Sequence, residues 1–381
     1  MLRAMIPSHT CRARLPLRMA TTLCLGVAVL ALTAAAHAAP RKPAPRDAAA
    51  AARFGARVDS LRVAARIPGL AVVVLRDTSV VLARGMGFAD LERKVAVTPE
   101  TPFDIASVSK TTSGVVALRL VELGLLDLDR PMTSFADFSE FCQEAKERGG
   151  IFFGDYTCDS TLTLRHVLSM QANGKPGTRF WYNPPSYSWA SRPMRQVTSE
   201  PFSTLVTKYV FEPAGMSHSA RIHRALPLRA DLAAQLAKPY QLDSTGTLVP
   251  SPPLKAQGDG AAGGVIATAM DLARFDVALT TGRLLSAASR AEMWRPTVTA
   301  AGDTLPYGIG WFVKDVAGER LLWHSGLWDG AYSALYLKAP DRHVTLVLLA
   351  NSDGLGWDSR LDEAEPLRSP FVRAFLEAFP K

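Results

Sequence analysis

Ser107 and Lys110 stand three residues apart in Phe103-Asp104-Ile105-Ala106-Ser107-Val108-Ser109-Lys110-Thr111. A serine hydroxyl is a weak nucleophile unless a base sits beside it. On a helix, positions i and i+3 share a face, so this spacing brings an amine next to a hydroxyl. A helix start would also aim backbone N–H groups at an oxyanion forming there. The chemistry such a pair suits is acyl transfer, which further needs a proton relay to the leaving group. Tyr182, in Arg179-Phe180-Trp181-Tyr182-Asn183-Pro184-Pro185-Ser186-Tyr187, is a candidate relay, because a lysine ammonium nearby favours its phenolate. His324-Ser325-Gly326 offers an imidazole able to polarise an acyl substrate, and a glycine that lets a ligand approach the main chain.

The elements around these residues must hold them. Val115, Val116, Leu118, Leu120, Val121 and Leu123 make a helix apolar nearly all round, closed by Gly124. Ser107 therefore stands at the mouth of a core helix. Upstream, Phe54, Val58, Leu61 and Ala65 predict a helix over Arg53–Arg66. Leu70–Leu75 and Val80–Ala83 flank a turn at Asp77-Thr78 and predict a buried hairpin, with Gly85 and Gly87 breaking the pattern. Pro131–Ser160 reads as an irregular insertion, Leu162–Met170 as a short helix with a structural His166, and Pro201–Val210 as a helix. Gln241–Gly264 reads as loop, and Thr268–Leu279 as an amphipathic helix. Strands are expected at Tyr307–Val313, Arg320–Trp323, Tyr332–Leu337 and Val344–Ala350, before a closing helix over Phe371–Phe379. This order implies an α+β fold whose sheet is built from both ends of the chain.

Composition bounds the rest. The chain has 381 residues, 48% hydrophobic and 20% charged, as expected of a globular protein. Its formal charge is +8, but four of the 43 basic residues (Arg3, Arg12, Arg14 and Arg18) precede or flank an early apolar run, and without them it is +4. No basic run with interleaved aromatics remains, so nucleic acid is not an expected partner. Arg12, Arg14 and Arg18 followed by an apolar run from Met19 to Ala36, and then Ala36-His37-Ala38, fit a secretory leader cleaved near Ala38. The expected organisation is a signal peptide over 1–38, a linker over 39–52 and one domain over 53–381. The product would be periplasmic or secreted, touching a membrane only transiently; a membrane anchor is the alternative. Cleavage leaves only Cys142 and Cys158, either bonded to each other or buried as two small thiols.

Taken in order, these motifs resemble the serine β-lactamase superfamily, in its class C β-lactamase, DD-carboxypeptidase and family VIII esterase branch. The resemblance runs from about Pro68 to Asp353. It is carried by Phe103–Lys110, Pro176–Phe180 leading to Tyr182, Phe211–Met216, Ala261-Gly263-Gly264 with Asp271–Phe275, Tyr307–Trp311 and His324–Gly326. It implies an antiparallel sheet flanked by helices plus a helical lobe, with the site between them. It also implies roles: Ser107 the acylated nucleophile, Lys110 its base, and Tyr182 the acid/base. His324 and Gly326 would line the site, and the N–H groups of Ser107 and Leu327 would form the oxyanion hole. Asn183 would contact substrate. No metal or cofactor is implied; the expected partner is a small ester, a D-amino-acid peptide or a β-lactam.

Three departures from the family pattern bear on function. The usual Tyr-x-Asn has Pro184 in its third position, with Asn183 one place forward, and Tyr187 is a second candidate for the acid/base role. The third motif carries His324 where drug-hydrolysing members carry Lys, which favours small esters or D-amino-acid peptides over β-lactams. Met170–Gly177 is short and lacks a His-Thr-Ser-Gly element. A catalytically impaired relative that binds cell-wall peptide or a protein partner is the alternative reading.

Overall fold

The computed structural model describes residues 45–356 and 363–381. The expected leader over 1–38 lies outside the described residues. A seven-stranded antiparallel sheet forms the centre. Its strands are β1 (Gly69–Arg76), β2 (Ser79–Asp90), β3 (Val95–Ala96), β4 (Phe312–Val316), β5 (Glu319–Trp328), β6 (Tyr332–Ala339) and β7 (Val344–Ala350), in the order β3-β2-β1-β7-β6-β5-β4. The two ends of the chain meet where β1 pairs with β7, Leu70 opposite Ala350 and Arg76 opposite Val344. Asn351 fixes that seam: its Oδ1 accepts from Gly69 N at 2.7 Å, and its Nδ2 donates to Phe88 O and Lys238 O.

β1, β6 and β7 are buried on both faces, which explains their unbroken apolar runs. One face carries the helices α1 (Pro45–Ala64) and Pro370–Ala378, joined by the ring cluster Phe54, Phe375 and Phe379. The helix Ala269–Thr280 packs on β1 and β7, and α2 (Ser109–Glu122) packs against β5. Among the described residues, no helix is long and apolar enough to cross a membrane.

Several expected boundaries move. Residues 45–52, read as linker, begin α1, because alanine is the strongest helix former and Asp47 ion-pairs Arg76 at 2.7 Å while Ala50 and Ala51 are buried. β2 runs through Gly85 and Gly87: a side chain at Gly85 would collide with Val97 O, so the glycine admits the crossing chain without ending the strand. The insertion at 131–160 contains a helix, Phe138–Arg148, that buries Phe138, Cys142 and Ala145 on one face. Cys142 is bonded to Cys158, with Cα atoms 5.8 Å apart. Tyr240–Leu242 and Leu248–Pro250 form a hairpin inside the expected loop. The strand expected from Tyr307 starts only at Phe312.

Candidate active site

Ser107 lies in a single 3-10 turn, Ala106–Val108, that runs directly into α2. Ala106 just before it has φ +46°, a left-handed conformation that costs a non-glycine residue energy. Asp104 holds it there, its Oδ1 accepting from Ala106 N at 2.8 Å. Burial pushes the Asp104 carboxyl up to about 6. Sequence reasoning quoted Asp104 without giving it this work.

Lys110 is fully buried, and its Nζ lies 2.8 Å from Ser107 Oγ and 2.9 Å from the carbonyl of Ala262. Burial pulls its ammonium down to about 7. A carbonyl can only accept. A neutral amine that donates one N–H to Ala262 O can turn its lone pair toward Ser107, the orientation a general base needs. The next carbonyl back, Ala261 O, accepts from Ser113 Oγ at 2.6 Å, and Ser109 Oγ accepts from Val265 N. The segment 261–265 is thus stitched to one face of α2.

Of the two tyrosines, Tyr182 is half-buried, its ring centroid 5.2 Å from Lys110 Nζ and stacked on Phe312. Tyr187 is fully buried, donates its hydroxyl to the main-chain carbonyl of Lys110 at 3.1 Å, and has its phenol pushed up by burial. Tyr187 props α2; Tyr182 lies on the accessible side.

Asn183, expected at the substrate, is placed elsewhere. It caps the helix Pro184–Trp189, its Oδ1 accepting from Ser186 N, while Nδ2 donates to Phe152 O and Asn173 Oδ1. Both Nδ2 hydrogens and the oxygen are thus engaged inside the protein. The reason is local: Asn before Pro-Pro is a strong N-cap followed by a residue suited to the first helical turn.

His324 also differs from expectation. It is fully buried, with Nδ1 2.6 Å from Ser325 O and Nε2 2.7 Å from Tyr307 Oη. Because Ser325 O must accept, Nδ1 carries the proton and Nε2 accepts from the tyrosine. Burial and, next, the charge on Lys110 hold the imidazole well below its ordinary value, so it is neutral. Neither ring nitrogen is left for a substrate. Gly326, two residues on, meets the Ser107 turn so closely that a Cβ would lie 2.2 Å from Ile105 O. This contact sets β5 beside Ser107, with Leu327 half-exposed next in the strand.

Glu100, His218 and Asp271 form a cluster with ligand-type spacing, but Arg274 bridges both carboxylates and Ser219 Oγ donates to Asp271. It is a structural ion-pair cluster, distinct from the Ser107 site.

The family model described as Beta-lactamase matches residues 48–367, and the chain belongs to that family. It is 24% identical over 311 residues to "Penicillin-binding protein 4*" of Bacillus subtilis (strain 168), covering 74% of this chain and 68% of that one. Among solved structures, the D-amino acid amidase of Ochrobactrum anthropi SV3 superposes with a TM-score of 0.67 at 20% identity, over 87% of this chain and 98% of that one. "EstCE1, a hydrolase with promiscuous acyltransferase activity" superposes with a TM-score of 0.67 at 20% identity, over 86% and 99%. These two likenesses show the fold, an antiparallel sheet flanked by helices, as the motifs implied.

Proposed function

We propose that this protein is a serine hydrolase that cleaves an uncharged ester or amide through an acyl-enzyme on Ser107. The observation that carries this reading is the amine of Lys110, lowered to about 7 and held 2.8 Å from Ser107 Oγ. Lys110 takes the hydroxyl proton as Oγ attacks the substrate carbonyl carbon. The oxyanion is received by the N–H groups of Ser107 and Leu327. The tetrahedral adduct collapses, the bond to the leaving group breaks, and the proton passes to that group by way of Tyr182. Water, deprotonated by the same pair, then attacks the acyl carbon and frees Ser107.

The neutral state of His324 favours an uncharged acyl donor, since the third motif offers no fixed cation to a β-lactam carboxylate. The amidase and the hydrolase among the structural neighbours are named for chemistry of this kind. The leader motif and the Cys142–Cys158 bond support export to the periplasm or beyond. N-terminal sequencing of the mature protein is expected to begin at Ala39.

The test is the intact mass of the protein after brief exposure to a p-nitrophenyl ester and, separately, to a penicillin, with Ser107→Ala as control. The expected result is an acyl adduct or turnover with the ester, absent in the variant, and little with the penicillin. No adduct with either, nor with a fluorophosphonate, would overturn the reading in favour of a relative that binds without turnover. The loss of the substrate-facing amide at Pro184 is what that second reading would explain.

A further inference from the structure

Arg221 stands on the short strand Ala220–Arg221, opposite Val265, and is 3% exposed. Its guanidinium, the most buried arginine head group in the site region, faces the back of the segment 259–263. Nη2 donates to Gly260 O at 2.9 Å and to Asp259 Oδ1 at 3.2 Å, and Nη1 donates to Gly263 O. Asp259 in turn accepts from Ser203 N at 3.0 Å, and the guanidinium lies over the Phe202 ring. The carbonyls of this segment therefore divide. Those of Gly260 and Gly263 turn to Arg221; those between them, Ala261 and Ala262, turn to Ser113 and Lys110. Flipping the Gly260, Ala262 or Gly263 peptide would take an acceptor from Arg221 or Lys110, both buried, so the two sets hold each other in place.

We propose that Arg221 is a positioning residue for Lys110: by clamping the outer carbonyls of the segment 259–263, it presents Ala262 O to the lysine amine and keeps water from it. The proposal rests on the reading of Ser107 and Lys110 as nucleophile and base. Arginine suits the task because its planar fork addresses several acceptors at once. Without it, Gly260 O, Gly263 O and Asp259 lose a shared donor, the segment loosens, and the lysine gains solvent and loses its orienting acceptor. An amine that gains solvent titrates at higher pH, so it is protonated when it should act as base.

The experiment uses the full chain carrying Arg221→Met, Arg221→Lys and the double change Arg221→Met/Asp259→Asn. The last also neutralises the carboxylate that the first deprives of its guanidinium partner, and carries the test if the single change does not fold. Two readouts are taken. One is the titration of Lys110 by NMR in protein labelled at lysine 13Cε, assigned by Lys110→Met; it needs no turnover. The other is the pH profile of kcat/KM for the p-nitrophenyl ester.

In Arg221→Met, or in the double variant, the Lys110 midpoint is expected to rise by about one pH unit or more. The acid limb of the rate profile should move with it, kcat at pH 7 should fall about 10- to 100-fold, and KM should barely change. Arg221→Lys should recover part of both shifts. A folded Arg221→Met or double variant with the wild-type midpoint and limb would overturn the proposal while leaving the Ser107 reading intact. A midpoint that moves in a protein whose wild type never acylates would uphold the clamp and reject the hydrolase.

Discussion

Lys110 is an amine buried with a hydroxyl and a carbonyl for partners, and that burial costs stability. Its folded-state pKa of about 7 lies below the unfolded value of 10.5. Between those values the unfolded chain binds more protons, so stability rises with pH across that window, and the full penalty is present below pH 7. Lys110→Met should therefore abolish ester turnover yet raise the free energy of unfolding, by up to about 4 kcal/mol at pH 6. The gain should shrink toward pH 10, as urea titrations at pH 6, 8 and 10 would show; a variant less stable than wild type at pH 6 would contradict the burial argument. The Ser107–Lys110 pair was legible in the sequence because its geometry is local, fixed by one helical turn. His324 was legible as a position and misread as a contact, since its Nε2 is taken by Tyr307, seventeen residues away. Asn183 was misread because its capping geometry competes with a family role at nearly the same place. Arg221 left no signal: an isolated arginine in a short strand looks like any surface charge until the segment it clamps is seen.

At the scale of elements, the meeting of β5 with the Ser107 turn sets the geometry of the candidate site. Gly326 carries no side chain because Ile105 O occupies that space. Gly326→Val is expected to cost about 1–3 kcal/mol in overpacking and to lower kcat/KM far more than the stability loss explains, because it pushes Leu327 away from Ser107. Denaturant unfolding and ester kinetics on the same preparation test this; a variant that loses stability but keeps full activity would show that the strand does not set the oxyanion site. The strands themselves were readable wherever both faces are buried, as in β1, β6 and β7. Reading failed where apolar content served another purpose. Tyr307–Trp311 has strand composition, yet Tyr307 and Trp311 are fully buried in an irregular segment, with Tyr307 supporting His324. The helix Phe138–Arg148 was hidden by its polar composition, its three buried positions being few against seven charged or polar neighbours turned to solvent.

Across the whole molecule, the order of elements anticipated the sheet assembled from both ends, and the family resemblance the antiparallel sheet flanked by helices. The Cys142–Cys158 bond ties the helix Phe138–Arg148, whose Phe138 and Phe141 rings pack on Trp189, to the chain that follows it. Phe152, inside the loop the bond closes, accepts from Asn183, the residue after Tyr182. Replacing both cysteines by serine should cost about 2–4 kcal/mol, as expected for closing a loop of this length, and weaken the support of the Tyr182 segment. Unfolding curves with and without reductant should show the loss in the wild type and no further change in the variant. Identical curves for wild type in both conditions, with the thiols shown to be free, would remove the bond from the account.

The seam between β1 and β7 has one more consequence. Gly69 and Asn351 are hydrogen-bonded partners 282 residues apart, so on the ribosome the first half of the sheet waits, without its central neighbour, until nearly all of this chain has been made. Until β7 arrives, the apolar edge of β1 stands unpaired, so late closure leaves the growing chain open to aggregation for most of its synthesis.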